Sequence, residues 1–359
     1  MKIAVLGSGN GGCAVAFDCA KNGHEVSIFD FDIFPVNINA IRENGGIFSE
    51  GQLEGFQKVV YAGFDIQQAI KDAELIYAVG PAYSTRAFGE ACRPYLTDEQ
   101  IVVVCPGSCA GSLVFKNALG VKVTDESRIV AETSTLPYAV RLTGPGRIHV
   151  FLRLKDGVLL AALPSKHTAR VHDMMSSVYS YIIPASSVLQ TSLQNANPII
   201  HPSVTLLNAG LIERTKGDFF FYEEGVTQGV GRLIEALDLE RMAIGKALGF
   251  DVIPDPVLGM RQGYMQEPTY DKGYSEAEGF KGIRAQSSLD YRYFNEDVGY
   301  GLVFLSELGR QLGVPTPVAD SVIALAAVVM RRDYRAEKAR TPESLGFGGY
   351  SPGQLRELL

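Results

Sequence analysis

Residues 3–12 read IAVLGSGNGG, a short apolar run from Ile3 to Leu6 followed by Gly7, Gly9 and Gly12 in G-x-G-x-x-G spacing. The next residues, CAVAFDCAKNG, have helical composition and stop at Gly23; a second apolar run, Val26 to Phe29, ends at Asp30. A strand, a glycine turn, a helix and a second strand closed by an acid about 20 residues after the glycines make the unit that grips a dinucleotide. Gly7 permits the tight turn, Gly9 has no side chain to hold off a pyrophosphate, and Gly12 lets the helix pack close to the strand. The helix N-terminus offers its N–H groups to the phosphates. Ser8 and Asn10 complete the expected cofactor loop. For the glycine run alone, a turn without a ligand is the plainer alternative.

Asp30 refines the cofactor. A carboxylate at this strand end accepts hydrogen bonds from ribose hydroxyls and repels a 2′-phosphate, and no Arg or Lys appears before Arg42. NAD(H) is therefore expected over NADP(H), although a solvated acid at a strand end has the same sequence.

The 359 residues exceed what one core usually organises. Net charge is −7 and no Lys/Arg cluster suggests nucleic acid. The late apolar stretch VADSVIALAAVVM contains Asp320, ends at Arg331 and is too short to span a membrane. Met1 runs straight into the first strand, so no signal peptide is read there. Five cysteines lie in the first third without a C-x-x-C pair, which suits buried thiols in a reducing cytoplasm and no metal site. The expected assembly is a cytoplasmic homodimer.

Leu75–Val79, Ile101–Cys105 and Ile129–Glu132 are continuous apolar runs of the kind that fill a parallel sheet covered by helices. Val150–Leu154 and Val158–Leu163 flank Lys155-Asp156-Gly157 and predict a hairpin. After Ser187 strand-like runs almost vanish and apolar residues recur at helical spacing. The expected fold is an α/β Rossmann-type dinucleotide-binding domain over 1–187 followed by a mostly α-helical substrate domain over 188–359. The Gly/Pro- and charge-rich tail from Arg335 is expected to wrap the surface. A cleft between the domains, at the carboxyl ends of the strands, is where substrate is expected.

Hydride transfer at a carbon bearing oxygen or nitrogen must be matched by proton movement, and histidine suits that role at neutral pH. Of the five histidines, His24 sits in a turn before the second strand, His149 in a strand, and His167 and His172 border a surface helix. His201 opens the second domain in a proline-bracketed apolar setting that fixes its ring. On residues alone it stands equally as a satisfied core histidine. Glu132 and Thr133 lie at a strand's carboxyl end, where ligands gather; they are candidates for the substrate or the nicotinamide end, or simply a strand-terminal turn. The aromatic runs FFFYEEG and DYRYF read as core, while Tyr264 and Met265 suit an apolar pocket by composition.

The stretch from Asn195 through Pro198, His201 and Pro202 to Gly210, and the later Arg292-Tyr-Phe-Asn-Glu-Asp297, join the N-terminal GSGNGG and the ETSTLP segment in one pattern. This combination resembles the octopine/opine dehydrogenase family over essentially the whole chain. The resemblance implies an NAD-dependent enzyme that condenses the amino group of an L-amino acid with a 2-oxo acid such as pyruvate and reduces the imine, or runs the reverse oxidation. It implies His201 as general acid/base, Asp297 as the partner that orients it, and Arg292 as a carboxylate clamp. Similarity to bacterial members of the family implies an apolar amino donor. Five residues on one α-helix would place Arg292 and Asp297 about 140° apart. A turn near Tyr293–Asn295, with Asn295 capping a following helix, is therefore expected.

Two other readings fit parts of the chain. One is a 2-oxo acid or glycerol-phosphate dehydrogenase, which would need a catalytic lysine early in the helical domain, where the nearest is Lys216. The other is a non-catalytic NAD(H) sensor.

Overall fold

The computed structural model describes every residue from Met1 to Leu359 and divides into two compact units, Met1–Thr191 with Leu359, and Ser192–Leu358. The division falls just beyond the expected 187/188 boundary. The strands, all in the first unit, are β1 (Lys2–Leu6), β2 (Glu25–Phe29), β3 (Gly46–Gly51), β4 (Gly55–Lys58), β5 (Tyr61–Gly63), β6 (Leu75–Ala78), β7 (Ile101–Val104), β8 (Val130–Thr133), β9 (Tyr138–Gly144), β10 (Arg147–Arg153), β11 (Leu159–Leu163) and β12 (Ile183–Pro184).

Eight strands form the main sheet in the order β12-β11-β8-β7-β6-β1-β2-β5. Only the β8–β11 pair is antiparallel. The apolar runs become its interior because helices cover both faces; all four side chains of β7 are buried, each contributing roughly 1.5–3 kcal/mol over an exposed position. β1 has β2 on one side and β6 on the other, so the strand order reverses at β1. Its carboxyl end, where Gly7 follows, is the switch point at which open α/β sheets bind ligands.

The hairpin expected around Lys155-Asp156-Gly157 does not form. β10 instead pairs with β9 and β3 in a separate sheet of order β4-β3-β10-β9, while β11 pairs with β8 in the main sheet. The hairpin turn is Pro145-Gly146, between β9 and β10, where Gly146 takes φ +67°. Gly157, at φ +71°, turns the chain from one sheet to the other. All five cysteines are buried and none is in a disulfide. Burial pushes the thiols of Cys13, Cys92 and Cys105 up to about 12, which keeps them protonated and unreactive.

The second unit is helical, as its spacing predicts. The long helix Gln228–Leu248 packs against Asn197–Leu207, Val303–Leu312, Pro317–Met330 and Pro352–Leu358. Gly249 ends it in the left-handed conformation that a side chain would resist. Within this core Arg241 is fully buried and fully used: Nε donates to Asp238 Oδ1 (2.7 Å), Nη1 to Leu193 O (2.6 Å) and Nη2 to Ile253 O (2.9 Å). Asp238 also accepts from Tyr270 and from the backbone of Asp255, and Asp255 accepts from Tyr274. Such a network holds because each buried charge has partners. The tail is more than a surface wrap: Arg340, Phe347, Leu355 and Leu359 are buried. No helix is long and apolar enough to cross a membrane.

Candidate active site

In the first unit, the glycine loop is shaped by close approach. Gly7 takes φ +107°, and a Cβ there would collide with Val79 O; a Cβ on Gly12 would collide with Gly7 O. A Cβ on Gly9 would meet no atom within 4 Å, so the space over Gly9 is left by the chain. Gly9 is also the N-cap of the helix Asn10–Lys21, with no side-chain cap and no acid in the first turn. The N-terminal N–H groups and their partial positive charge therefore meet open space, which fits a pyrophosphate. Asn10 Oδ1 accepts from Leu142 N at 2.7 Å and so braces the loop.

Asp30 is buried beside this loop. Its Oδ2 accepts from Ser8 N (2.7 Å) and Ser8 Oγ (2.6 Å), and its Oδ1 from Phe31 N (2.9 Å). The acid thus anchors the loop and keeps a negative charge at the end of β2, where a ribose would lie and a 2′-phosphate would be repelled. Glu132 and Thr133 stand at the carboxyl end of β8, but their polar atoms are engaged within the chain. Glu132 Oε2 accepts from Ser112 N (2.8 Å) and Oγ (2.6 Å), Oε1 from Thr191 (2.7 Å), and Thr133 Oγ1 donates to Thr135 O (2.9 Å).

In the second unit, His201 lies on the helix Asn197–Leu207, which starts with Pro198 near its first turn and carries Pro202 inside. Pro202 removes one N–H from the helix ladder just beyond His201. His201 Nδ1 is 2.8 Å from Asp297 Oδ2, and Nε2 is 3.2 Å from the Tyr222 hydroxyl. Tyr293 stacks on the imidazole at 4.0 Å between ring centroids, and Phe221 meets it edge-on at 6.1 Å. The carboxylate can only accept, so Nδ1 carries the proton and Nε2 presents its lone pair. Burial pushes the imidazole below its ordinary value and the Asp297 carboxyl above its own; their mutual attraction opposes both shifts. The resting imidazole is neutral, and Asp297 stands ready to stabilise its charged form.

The turn expected between Arg292 and Asp297 is a helical one, and Asn295 does not cap the segment that follows it. Arg292–Asn295 is a helical turn, and Asp297–Leu302 is a π-helical segment leading into Val303–Leu312. Asn295 Nδ2 donates to Asp290 and its Oδ1 accepts from Arg332. The short helix ends at Asn295, before Asp297, so the two residues do not share one regular α-helix and the spacing of about 140° does not apply. Gly301 makes the close packing possible, because a Cβ there would overlap the Pro198 ring. Arg292 donates through Nε to Glu296 Oε2 at 2.8 Å, with Arg292 35% exposed and Glu296 3%. Its positive charge lowers the pKa of both His201 and Asp297.

Tyr222, Tyr293 and Phe221 belong to the aromatic runs read from sequence as core. The stack continues outward from Tyr222 to Phe280 (4.2 Å, 14°) and from Phe280 to Tyr264 (4.6 Å, 18°). The available signal was adjacency: Tyr293 directly follows Arg292.

Residues 184–330 match the family model of the NAD/NADP octopine/nopaline dehydrogenase α-helical domain. The chain is 36% identical to the opine dehydrogenase of Arthrobacter sp. (strain 1C), covering 99% of this chain and 98% of that one. It belongs to the octopine/nopaline dehydrogenase family. This opine dehydrogenase chain is an NAD-dependent oxidoreductase acting on the CH–NH group of donors. It is also 27% identical to the vitopine synthase of Allorhizobium ampelinum, over 100% of this chain and 99% of that one. Residues 2–113 match the N-terminal model of NAD-dependent glycerol-3-phosphate dehydrogenases, a likeness confined to the nucleotide-binding half. In fold, it is similar to octopine dehydrogenase solved with NADH and L-arginine: TM-score 0.78 at 17% identity, covering 99% of this chain and 98% of that chain.

Proposed function

We propose that this opine dehydrogenase joins an apolar L-amino acid to a short 2-oxo acid such as pyruvate, using NADH, and can run the oxidation in reverse. The observation that carries the reading is the buried His201–Asp297 pair with Arg292 beside it in the family's helical domain. NADH, rather than NADPH, is the reading of the Asp30 charge over the glycine loop; when bound, the reduced nicotinamide supplies a hydride.

His201 takes a proton from the substrate ammonium, which frees the amine to add to the carbonyl. The imidazolium formed is held by Asp297. The same proton then leaves with the carbinolamine hydroxyl as water, giving the substrate iminium. Arg292 holds the oxo-acid carboxylate through its outer nitrogens while Glu296 fixes its Nε. The Tyr222–Phe280–Tyr264 stack supports an apolar amino donor. Glu132 and Thr133 serve by shaping the end of β8. The buried, reduced thiols support a cytoplasmic setting.

The test is NADH consumption across a panel of L-amino acids with pyruvate and other 2-oxo acids. The expected result is turnover that requires both substrates and favours apolar amino acids. Turnover with the oxo acid alone would make the chain a hydroxy-acid dehydrogenase, and preference for a charged amino acid would overturn the apolar assignment.

A further inference from the structure

Both nitrogens of His201 are already bonded within the helical unit. Nδ1 faces Asp297 at 2.8 Å and Nε2 faces the Tyr222 hydroxyl at 3.2 Å, while Tyr293 covers one ring face at 4.0 Å. His201 itself is only 5% exposed. A substrate proton therefore has no direct path to Nε2 while this bond stands. The hydroxyl that occupies the nitrogen is itself both a donor and an acceptor, and can hand a proton on.

We propose that Tyr222 is the group through which His201 exchanges protons with the substrate. The proposal rests on the reading of His201 as the acid/base. In the condensation, the phenol oxygen accepts a proton from the substrate ammonium as its own O–H proton passes to His201 Nε2; the phenol stays neutral and the imidazole becomes imidazolium against Asp297. In dehydration the relay reverses: the phenol gives its proton to the carbinolamine oxygen, that C–O bond breaks to release water, and His201 returns its Nε2 proton to the phenol oxygen. One proton enters and one leaves, so the chain ends as it began. Stacking against Phe280 at 4.2 Å and 14° holds the ring of Tyr222 in place for both transfers, and the edge contact with Phe221 (5.0 Å, 85°) fixes its other side.

Tyr222→Phe keeps the ring and its stacking but removes the relay oxygen. The expected result is a fall in kcat of roughly 10²- to 10⁴-fold, the range for a positioned proton-transfer group, with the Michaelis constants of both substrates moving less than about threefold. In the ligand-free protein the His201 titration, followed by NMR, should move upward, because the phenol donates to the neutral imidazole and its loss favours the charged form. Replacing Tyr222 by 3-fluorotyrosine should shift the alkaline limb of the kcat profile to lower pH, following the more acidic phenol. Wild-type or faster turnover in Tyr222→Phe, with His201→Ala inactive, would overturn the relay and leave His201 acting directly. Normal turnover in a folded His201→Ala would remove the acid/base reading itself.

Discussion

His201 Nδ1 and Asp297 Oδ2 lie 2.8 Å apart although 96 residues separate them, one on a proline-bearing helix and the other at the start of a π-helical segment. The contact fixes which nitrogen carries the proton and places a carboxylate where imidazolium charge will form.

Asp297→Asn should therefore lower kcat by about 10²–10⁴-fold without unfolding the protein, because an amide can present the wrong hydrogen-bonding end to Nδ1 and carries no charge. In the wild type, burial holds His201 below its ordinary 6.5, so the imidazole remains neutral and able to accept a proton as the pH drops to that value. The acidic limb of kcat/KM for condensation is expected below pH 6.5, with activity lost as pH falls through it. A limb above 6.5 would show that attraction to Asp297 outweighs burial.

Asp30 binds Ser8 twice, so its loss would loosen the loop as well as remove a charge. Asp30→Asn keeps an acceptor and nearly the same shape. NADH efficiency should drop by roughly 10- to 150-fold, the worth of a charge-assisted hydrogen bond, and NADPH efficiency should drop less or rise. Parallel steady-state kinetics with the two cofactors read the ratio; an unchanged ratio rules out Asp30 as the discriminating group.

Gly9 and Gly12 separate cofactor binding from folding. A Cβ on Gly12 strikes Gly7 O, whereas one on Gly9 meets no protein atom. Gly12→Ala should lower both the melting temperature and NADH affinity. Gly9→Ala should leave melting within a few degrees of wild type and still weaken NADH binding at least tenfold, measured by calorimetry. Full NADH affinity in Gly9→Ala would mean that the pyrophosphate does not lie over this residue.

The buried network of the helical unit makes a pH-dependent contribution to stability. Burial, with the Asp238 charge nearby, pushes the Asp255 carboxyl up to about 6. Folding raises this pKa, so the contribution is fully present below about pH 4 and is lost as pH rises through about 6. At pH 8 the folded state bears a cost of about 3 kcal/mol that Asp255→Asn avoids. Urea unfolding at pH 8 and at pH 4.5 should show the variant's relative stability falling at the lower pH. A difference constant with pH would mean that Arg241 and Tyr274 fully compensate the carboxylate in the fold.

How legible each element was depended on its pattern. β1, β6 and β7 are buried on both faces, so each reads as an unbroken apolar run bounded by glycine or proline. β10, RIHVFLR, alternates buried and half-buried residues; its apolar end resembles half of a hairpin with β11, whereas the glycine-proline-glycine turn joins it to β9. At the site, the G-x-G-x-x-G context and the isolation of His201 are local properties of sequence, and the pairing of His201 with Asp297 came from family resemblance. The roles of Tyr222 and Tyr293 are not local. An aromatic residue in a core and one against an imidazole have the same sequence, and only tertiary packing distinguishes them. The π segment was hidden for a similar reason: EDVGYGLVFL has an ordinary helical composition, and nothing local marks the wider turn in which Gly301 lies against Pro198.

Arg292 tests the assignment of the two substrate carboxylates. Glu296 takes its Nε at 2.8 Å, which restrains the guanidinium, and the arginine remains 35% exposed; Nη1 and Nη2 are the nitrogens a substrate carboxylate would use as a two-pronged donor. Arg292→Lys keeps a positive charge but loses both the prong and the Glu296 contact. The Michaelis constant for pyruvate should rise roughly 10- to 150-fold, while that of the amino acid, measured at saturating pyruvate, should change far less. Glu296→Gln should give a smaller rise in the same constant, because it loosens the plane without removing the prong. If Arg292→Lys instead raises the amino-acid constant and spares pyruvate, Arg292 holds the amino-acid carboxylate and the two half-sites are exchanged. If neither constant moves, the Arg292–Glu296 pair is structural, and the oxo-acid carboxylate must be held by another cation.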